Sequence, residues 1–321
     1  MKNTVAKVCI TLACLFVVVG AAAFAEESHR TDWFRDAGWG VFTHYLTGAQ
    51  VTAEDWNRQV EAFDVPGLAK QLDAIGARYY VITLGQNSGH YCAPNAAYDR
   101  YAGIQPSKCS KRDLIADLYD ALAPKGITLM LYLPSQTPAS DPAAKKGFGL
   151  PSTGWDEDID EVFAKKWAEV IQEWSVRYGK KVAGWWFDGS YRHVHFNEAI
   201  AQIYAAAARA GNPDSIVAFN PGVTLRKWTD AEDYTAGEIN DADTVSCEGR
   251  WEKGKQWHML SYLGQNWGQA PPRYTVEKIV EMTRGITAKE GVVTWDVPID
   301  ASGHIPQAFV DQLIALRKGL K

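Results

Sequence analysis

The feature that most constrains this chain is a recurrence. Short apolar runs are each followed by a stretch whose apolar residues return at helical spacing. Strands are predicted over Gly38–Phe42, Ala77–Leu84, Ile127–Leu133, Val182–Phe187, Ile216–Phe219 and Gly291–Trp295, with a shorter apolar stretch at Thr244–Cys247. Helices are predicted over Pro66–Ile75, Arg112–Leu122, Asp156–Tyr178, Phe196–Ala210, Val276–Ile286 and Pro306–Leu320. Strands that alternate with helices pair in parallel through right-handed crossovers. The count of units approaches eight, so the expected fold is α/β, a closed (β/α)8 TIM-type barrel. A doubly wound open sheet is the alternative, but such sheets usually carry a G-x-G-x-x-G turn after the first strand. Here that strand runs into Thr43-His44-Tyr45.

A barrel of this kind uses roughly 250 residues, which leaves no room for a second large domain in 321. The N-terminus reads as a targeting segment. Lys2 and Lys7 precede an apolar run from Val8 to about Ala23, and Ala23-Phe24-Ala25 fits the small-residue cleavage rule. Residues 1–25 are therefore expected to be a cleaved signal peptide. Residues 26–321 are expected to form one barrel domain in a secreted or periplasmic protein, with no membrane attachment after cleavage. The net charge of −5 excludes polyanions such as nucleic acid as natural partners. Cys92, Cys109 and Cys247 remain after cleavage. Cys92 and Cys109 flank one loop and could pair in an oxidising compartment; three free buried thiols are the equal alternative. No Cys/His cluster has zinc-ligand spacing, so neither metal nor cofactor is expected.

In such barrels the active site lies at the C-terminal ends of the strands. The polar residues found there are His44, Gln86, Asn87, His90, Ser135, Gln136, Asp188, Asn220, Glu238, Glu248, Arg250 and Asp296. A ring of hydrogen-bonding groups with several carboxylates suits a sugar, whose hydroxyls need polar partners and whose ring faces stack on aromatics. With 13 Trp and 14 Tyr, the chain can supply such platforms, although aromatic core packing explains any single ring equally well. Asp188 stands out because it ends the apolar run Gly184-Trp185-Trp186-Phe187 and precedes Gly189. Its plain reading is a turn cap. Its chemical reading is one of the two carboxyl groups that glycosidic cleavage needs, the second being Glu238 or Glu248.

These residues resemble a known family. Trp33-Phe34-Arg35-Asp36 with Gly40 to Tyr45 resembles the first-strand motif of the family 29 α-L-fucosidases. Ala74 to Val81 resembles the A-G-A-K-Y motif, and Arg112-Asp113-Leu114 with Gly126-Ile127 and Leu131-Tyr132 resembles R-D-L … G-L … L-Y-Y-S. Trp186-Phe187-Asp188-Gly189 resembles the W-F-D-G nucleophile segment. Asp233-Tyr234-Thr235 leading to Glu238 resembles D-F-x-T-x-E, and Gly291 to Pro306 resembles the family's last-strand motif. The resemblance implies a retaining exo-glycosidase, α-L-fucosidase-like, acting on a glycan. Asp188 would be its nucleophile and Glu238 its acid/base, with Glu248 as alternative. Substrate contacts would come from His44, Gln86, Asn87, His90, Trp186, Asn220 and Arg250.

Two departures stand against it. Gly85-Gln86-Asn87-Ser88-Gly89-His90 replaces the family's K-H-H-D-G-F, substituting neutral amides for its paired histidines. The family's C-terminal β-sandwich is also missing. A hydrolase for another sugar, such as a galactoside, or a catalytically silent sugar-binding barrel are the competing expectations.

Overall fold

Polar caps and glycines cut the chain into the predicted alternation. Asp64, Asp113 and Asp160 each accept a hydrogen bond from a backbone N–H in the first turn of the helix that follows. Gly76 ends the first of these helices in the left-handed conformation. The structure, a computed structural model, describes residues 29–136, 138–150 and 158–321. The expected signal peptide falls outside the described residues. No described helix is long and apolar enough to cross a membrane.

Among the described residues the strands, in chain order, are β1 (Trp39–Thr43), β2 (Tyr79–Thr83), β3 (Thr128–Pro134), β4 (Gly184–Asp188), β5 (Ile216–Phe219), β6 (Trp251–Glu252), β7 (Lys255–Gln256), β8 (His258–Tyr262) and β9 (Val292–Asp296). The α-helices among them are α1 (Asp32–Ala37), α2 (Ala53–Glu61), α3 (Val65–Ile75), α4 (Ala96–Ala102), α5 (Leu114–Leu122), α6 (Pro142–Phe148), α7 (Glu161–Tyr178), α8 (Glu198–Ala208), α9 (Val276–Thr287) and α10 (Gln307–Leu320). Seven strands form one sheet in the order β5-β4-β3-β2-β1-β9-β8, every pair parallel. The fold is therefore mixed α/β with a seven-stranded parallel sheet, consistent with a TIM-type architecture. β6 and β7 make a small antiparallel hairpin.

Between β5 and β8 the chain is irregular but tied to both. Asp233 N–H donates to the Val217 carbonyl, while Leu260 N–H donates to Gly237 and Ile239 N–H to Leu260. Gly237 has φ 71°, and a Cβ there would collide with the His258 carbonyl. A residue with a side chain could not let this segment lie so close to β8.

Alternation along the strands divides the core in two. Val41, Ile82, Leu131, Trp185, Phe187 and Trp295 belong to the larger cluster, which packs under the helices. Phe42, Tyr79, Val81, Met130, Tyr132, Trp186, Tyr234 and Leu260 form a second cluster with Phe34 of α1. Phe34 packs against Tyr79, Tyr234 and His258, which lie at or near the starts of their strands, so α1 plugs that end of the sheet. Gly40 makes room for the Tyr79 ring, which would collide with any Cβ.

The structure departs from the sequence expectation in several places. Thr244–Cys247 is not a strand: Ala242–Thr244 forms one 3-10 turn, and the chain then leaves regular structure. Its apolar content serves packing, with Ala242 and Cys247 buried. The strand in that part of the sheet is β8, whose polar His258 and Ser261 obscured it. Cys92, Cys109 and Cys247 are free and buried, so the Cys92–Cys109 disulfide does not form. The start predicted at Asp156 for the long helix lies outside the described residues; the described helix begins at Glu161.

Candidate active site

At the C-terminal ends of the strands, side chains converge on a cavity of about 310 Å³. It is lined by Phe42, His44, Leu46, Gln86, Tyr132, Trp186, Asp188, Tyr191, Glu238, Leu260 and Trp267. Its floor is a triangle of rings. Tyr132 lies 5.8 Å from Phe42 and 5.4 Å from Trp186, with interplanar angles of 25° and 23°, and Phe42 lies 6.4 Å from Trp186. The Trp186 indole N–H is spent on the Ala236 carbonyl, so the floor presents little polar surface upward. Trp267 stands edge-on to His44, 6.0 Å between centroids.

Asp188 ends β4 and is held by three donors. Tyr132 Oη–H donates to Oδ2 at 2.6 Å; Asn220 Nδ2 and the Gly189 N–H each donate to Oδ1 at 2.8 Å. Gly189 adopts φ 72°, which turns its N–H back onto the carboxylate. Asn220 Nδ2 also donates to Glu238 Oε2. The two carboxyl groups thus face each other across a single amide. Asn220 is itself oriented, because its Oδ1 accepts from the Gly222 N–H at 3.1 Å.

Their environments differ. Burial pushes the Glu238 carboxyl up to about 7, the neighbouring Asp188 adds to the rise, and the Asn220 hydrogen bond and His44 oppose it. His44 Nδ1 bonds Asp296 Oδ1 at 2.8 Å, and the Gly268 N–H donates to the other Asp296 oxygen at 2.7 Å. Burial alone would lower the His44 ring, but the Asp296 charge and hydrogen bond outweigh it, with Asp188 and Glu238 helping. Its pKa is therefore raised, and Nε2 is the nitrogen left for a ligand. Two carboxyl groups joined through one amide, over an aromatic floor, are the kind of pair that can cleave an acetal.

The family model for alpha-L-fucosidase matches residues 52–318. The chain belongs to the alpha-L-fucosidase family. That family comprises glycoside hydrolases. No curated protein matches the sequence. Among solved structures, the alpha-L-fucosidase AlfC from Lactobacillus casei, in complex with alpha-L-fucose product, is similar in fold. Its TM-score is 0.66 at 17% identity, covering 91% of this chain and 98% of that one. The endo-fucoidan hydrolase P5AFcnA, of glycoside hydrolase family 107, gives a TM-score of 0.70 at 16% identity, covering 92% and 94%. The endo-fucoidan hydrolase MfFcnA4 of the same family gives 0.68 at 17% identity, covering 89% of this chain; the chain spans only 53% of MfFcnA4.

Of the residues predicted for this fucosidase-family site, the structure brings together His44, Gln86, Trp186, Asp188, Asn220 and Glu238. Four lie elsewhere. Glu248 is exposed and lines a separate cavity with Arg226, Trp251 and Glu252. Arg250 is buried under α1, where its guanidinium bonds Asp32 at 2.5 Å and Gln256 at 2.9 Å. Placing both at a strand end followed from reading Thr244–Cys247 as a strand. His90 is 2% exposed and packs edge-on to Trp56; burial and the nearby Lys108 push its pKa down to about 4. Asn87 lines a neighbouring chamber instead. Tyr132, Tyr191, Trp267 and Leu46 were missed as site residues. Only Tyr132 carried a signal, since its place near the end of β3 gives it the inward direction of Trp186 on β4.

Proposed function

We propose that this chain is a secreted retaining exo-glycosidase that removes a terminal α-L-fucosyl unit from a glycan. The observation that carries the reading is the Asp188–Asn220–Glu238 arrangement. One amide donates to both carboxyl groups, which sets Asp188 and Glu238 beside each other as the close pair of a retaining glycosidase requires. Asp188 attacks the anomeric carbon as the glycosidic C–O bond breaks. The leaving oxygen takes the proton of Glu238, and a covalent glycosyl-enzyme forms. Glu238, now a carboxylate, accepts a proton from the water that attacks the same carbon and releases Asp188. Tyr132, Asn220 and the Gly189 N–H hold Asp188 in place, and raised His44 donates to a sugar hydroxyl. A cavity of about 310 Å³ sits at the small end of ligand sites and suits a single sugar.

Two further points belong to this reading. The segment 233–239 supplies the remaining stave of a single (β/α)8 domain, and the chain is exported with residues 1–25 removed. A galactoside or a silent binding barrel is favoured by no observation of this site, and Glu238 opposite Asp188 argues against silence. A panel of chromogenic aryl glycosides tests the reading. The α-L-fucoside should release its aryl group, with the α-anomer of the sugar as first product. Asp188→Asn should cut kcat by about four orders of magnitude without lowering Tm. A variant that unfolds more easily yet still turns over would remove Asp188 from the chemistry.

A further inference from the structure

A second chamber adjoins the candidate pocket at Gln86 and Leu46. Both residues line it, and its volume is about 180 Å³. Its remaining walls are Thr47, Gly48, Ala49, Asn87, Ser88 and Ser140. The loops that form it are tied together, since the Ser140 N–H donates to the Asn87 carbonyl at 2.8 Å. Every polar lining group is a neutral hydroxyl, amide or backbone group. The nearby cation, Lys108, is already neutralised by the buried Asp141 at 2.6 Å, and also donates to the Ser88 carbonyl.

Direction follows from the sheet order. The chamber is built on the loops after β1, β2 and β3. Glu238 stands on the segment between β5 and β8, past both ends of the order β5-β4-β3-β2-β1-β9-β8, and so across the site from β2. A leaving group must lie beside its proton donor. The chamber therefore opens on the other side of the bound sugar, away from the bond that breaks.

We infer that this chamber takes a second, uncharged sugar unit carried by the fucosyl unit held against Asp188, so that a capped fucosyl unit is released as well as a bare terminal one, and faster. This rests on the glycosidase reading above and extends its substrate from a bare terminal residue to a capped one. Binding energy from a unit that does not react is then available to raise kcat/KM.

The test compares 4-nitrophenyl α-L-fucopyranoside with the 4-nitrophenyl glycoside of a neutral disaccharide bearing a second fucose on O3 or O4 of the first. The disaccharide should be hydrolysed with kcat/KM about tenfold or more above the monosaccharide. Ala49→Trp, which fills the chamber, should collapse that ratio to about one. Calorimetry on Asp188→Asn gives a second readout: the free neutral disaccharide should bind more tightly than fucose. Three outcomes overturn the inference: a monosaccharide preferred or equal, a ratio untouched by Ala49→Trp, or turnover only when the second sugar is sulfated. If neither aryl glycoside is cleaved and neither sugar binds, the glycosidase reading itself falls, and this inference with it.

Discussion

Asn220→Ala is the most informative single change, because one amide serves both carboxyl groups. Removing it takes one donor of three from Asp188 and removes the hydrogen bond that holds Glu238 down. A hydrogen bond to a charged group is worth about 1.5–3 kcal/mol, and one pKa unit corresponds to 1.36 kcal/mol. The carboxylate form of Glu238 loses that bond while the Asp188 charge stays beside it. Its pKa should rise by about one unit from its value of about 7. Glu238 must be protonated to act as acid, so the alkaline limb of kcat/KM should lie near pH 7 in the wild type. In the variant it should move upward by about one pH unit. The rate plateau should fall by about 10–100-fold, because Asp188 is left with Tyr132 and the Gly189 N–H to fix its aim. A pH series of aryl α-L-fucoside hydrolysis, with Tm followed in parallel, reads all of this. An alkaline limb that stays put or moves toward acid would refute the proposed link between Asn220 and the proton donor.

Other outcomes follow from the same geometry. Glu238→Ala should lose about 10²–10⁴-fold on glycan substrates but less on aryl glycosides, whose leaving groups need little protonation; equal losses would deny it the acid role. Arg250→Met should lower stability by about 1–3 kcal/mol through the loss of its bonds to Asp32 and Gln256. Its KM should stay at the wild-type value, whereas a raised KM would return Arg250 to the sugar site. A reducing agent should leave Tm unchanged, since Cys92 and Cys109 are separate buried thiols; a drop on reduction would reveal a bridge.

The parts of this molecule that were legible in the sequence are those where local pattern and tertiary need agree. β4 is an apolar run ended by a carboxylate, and both its place and that of Asp188 follow from periodicity. Glu238 was harder to tell from Glu248, because its segment pairs only through isolated bridges and carries no strand pattern. What separates the two glutamates is Gly237, whose positive φ presses the chain against β8 and keeps Glu238 beside Asn220. β8 itself stayed hidden: His258 and Ser261 are polar, yet both are buried and bonded, His258 to Thr294 and Ser261 to the Ile239 carbonyl. Tyr132 reads as one more aromatic until its hydroxyl is found on Asp188. Of the two readings the cysteines left open, three free buried thiols is the one the structure has, because closeness along the chain does not set the direction of side chains.

The stopper made by α1 has a practical side. Its Phe34 closes the sheet at the strand starts, while the candidate pocket opens at the strand ends, so residues 29–37 lie on the face turned away from that pocket. Arg30 bound to Asp233 and Arg250 bound to Asp32 keep that segment pinned to the body. A tether attached ahead of His29, whether a bead, a carrier protein or a surface, would leave the mouth of the pocket pointing outward. Trimming past Phe34 would instead uncork the aromatic interior beneath Asp188 and Glu238.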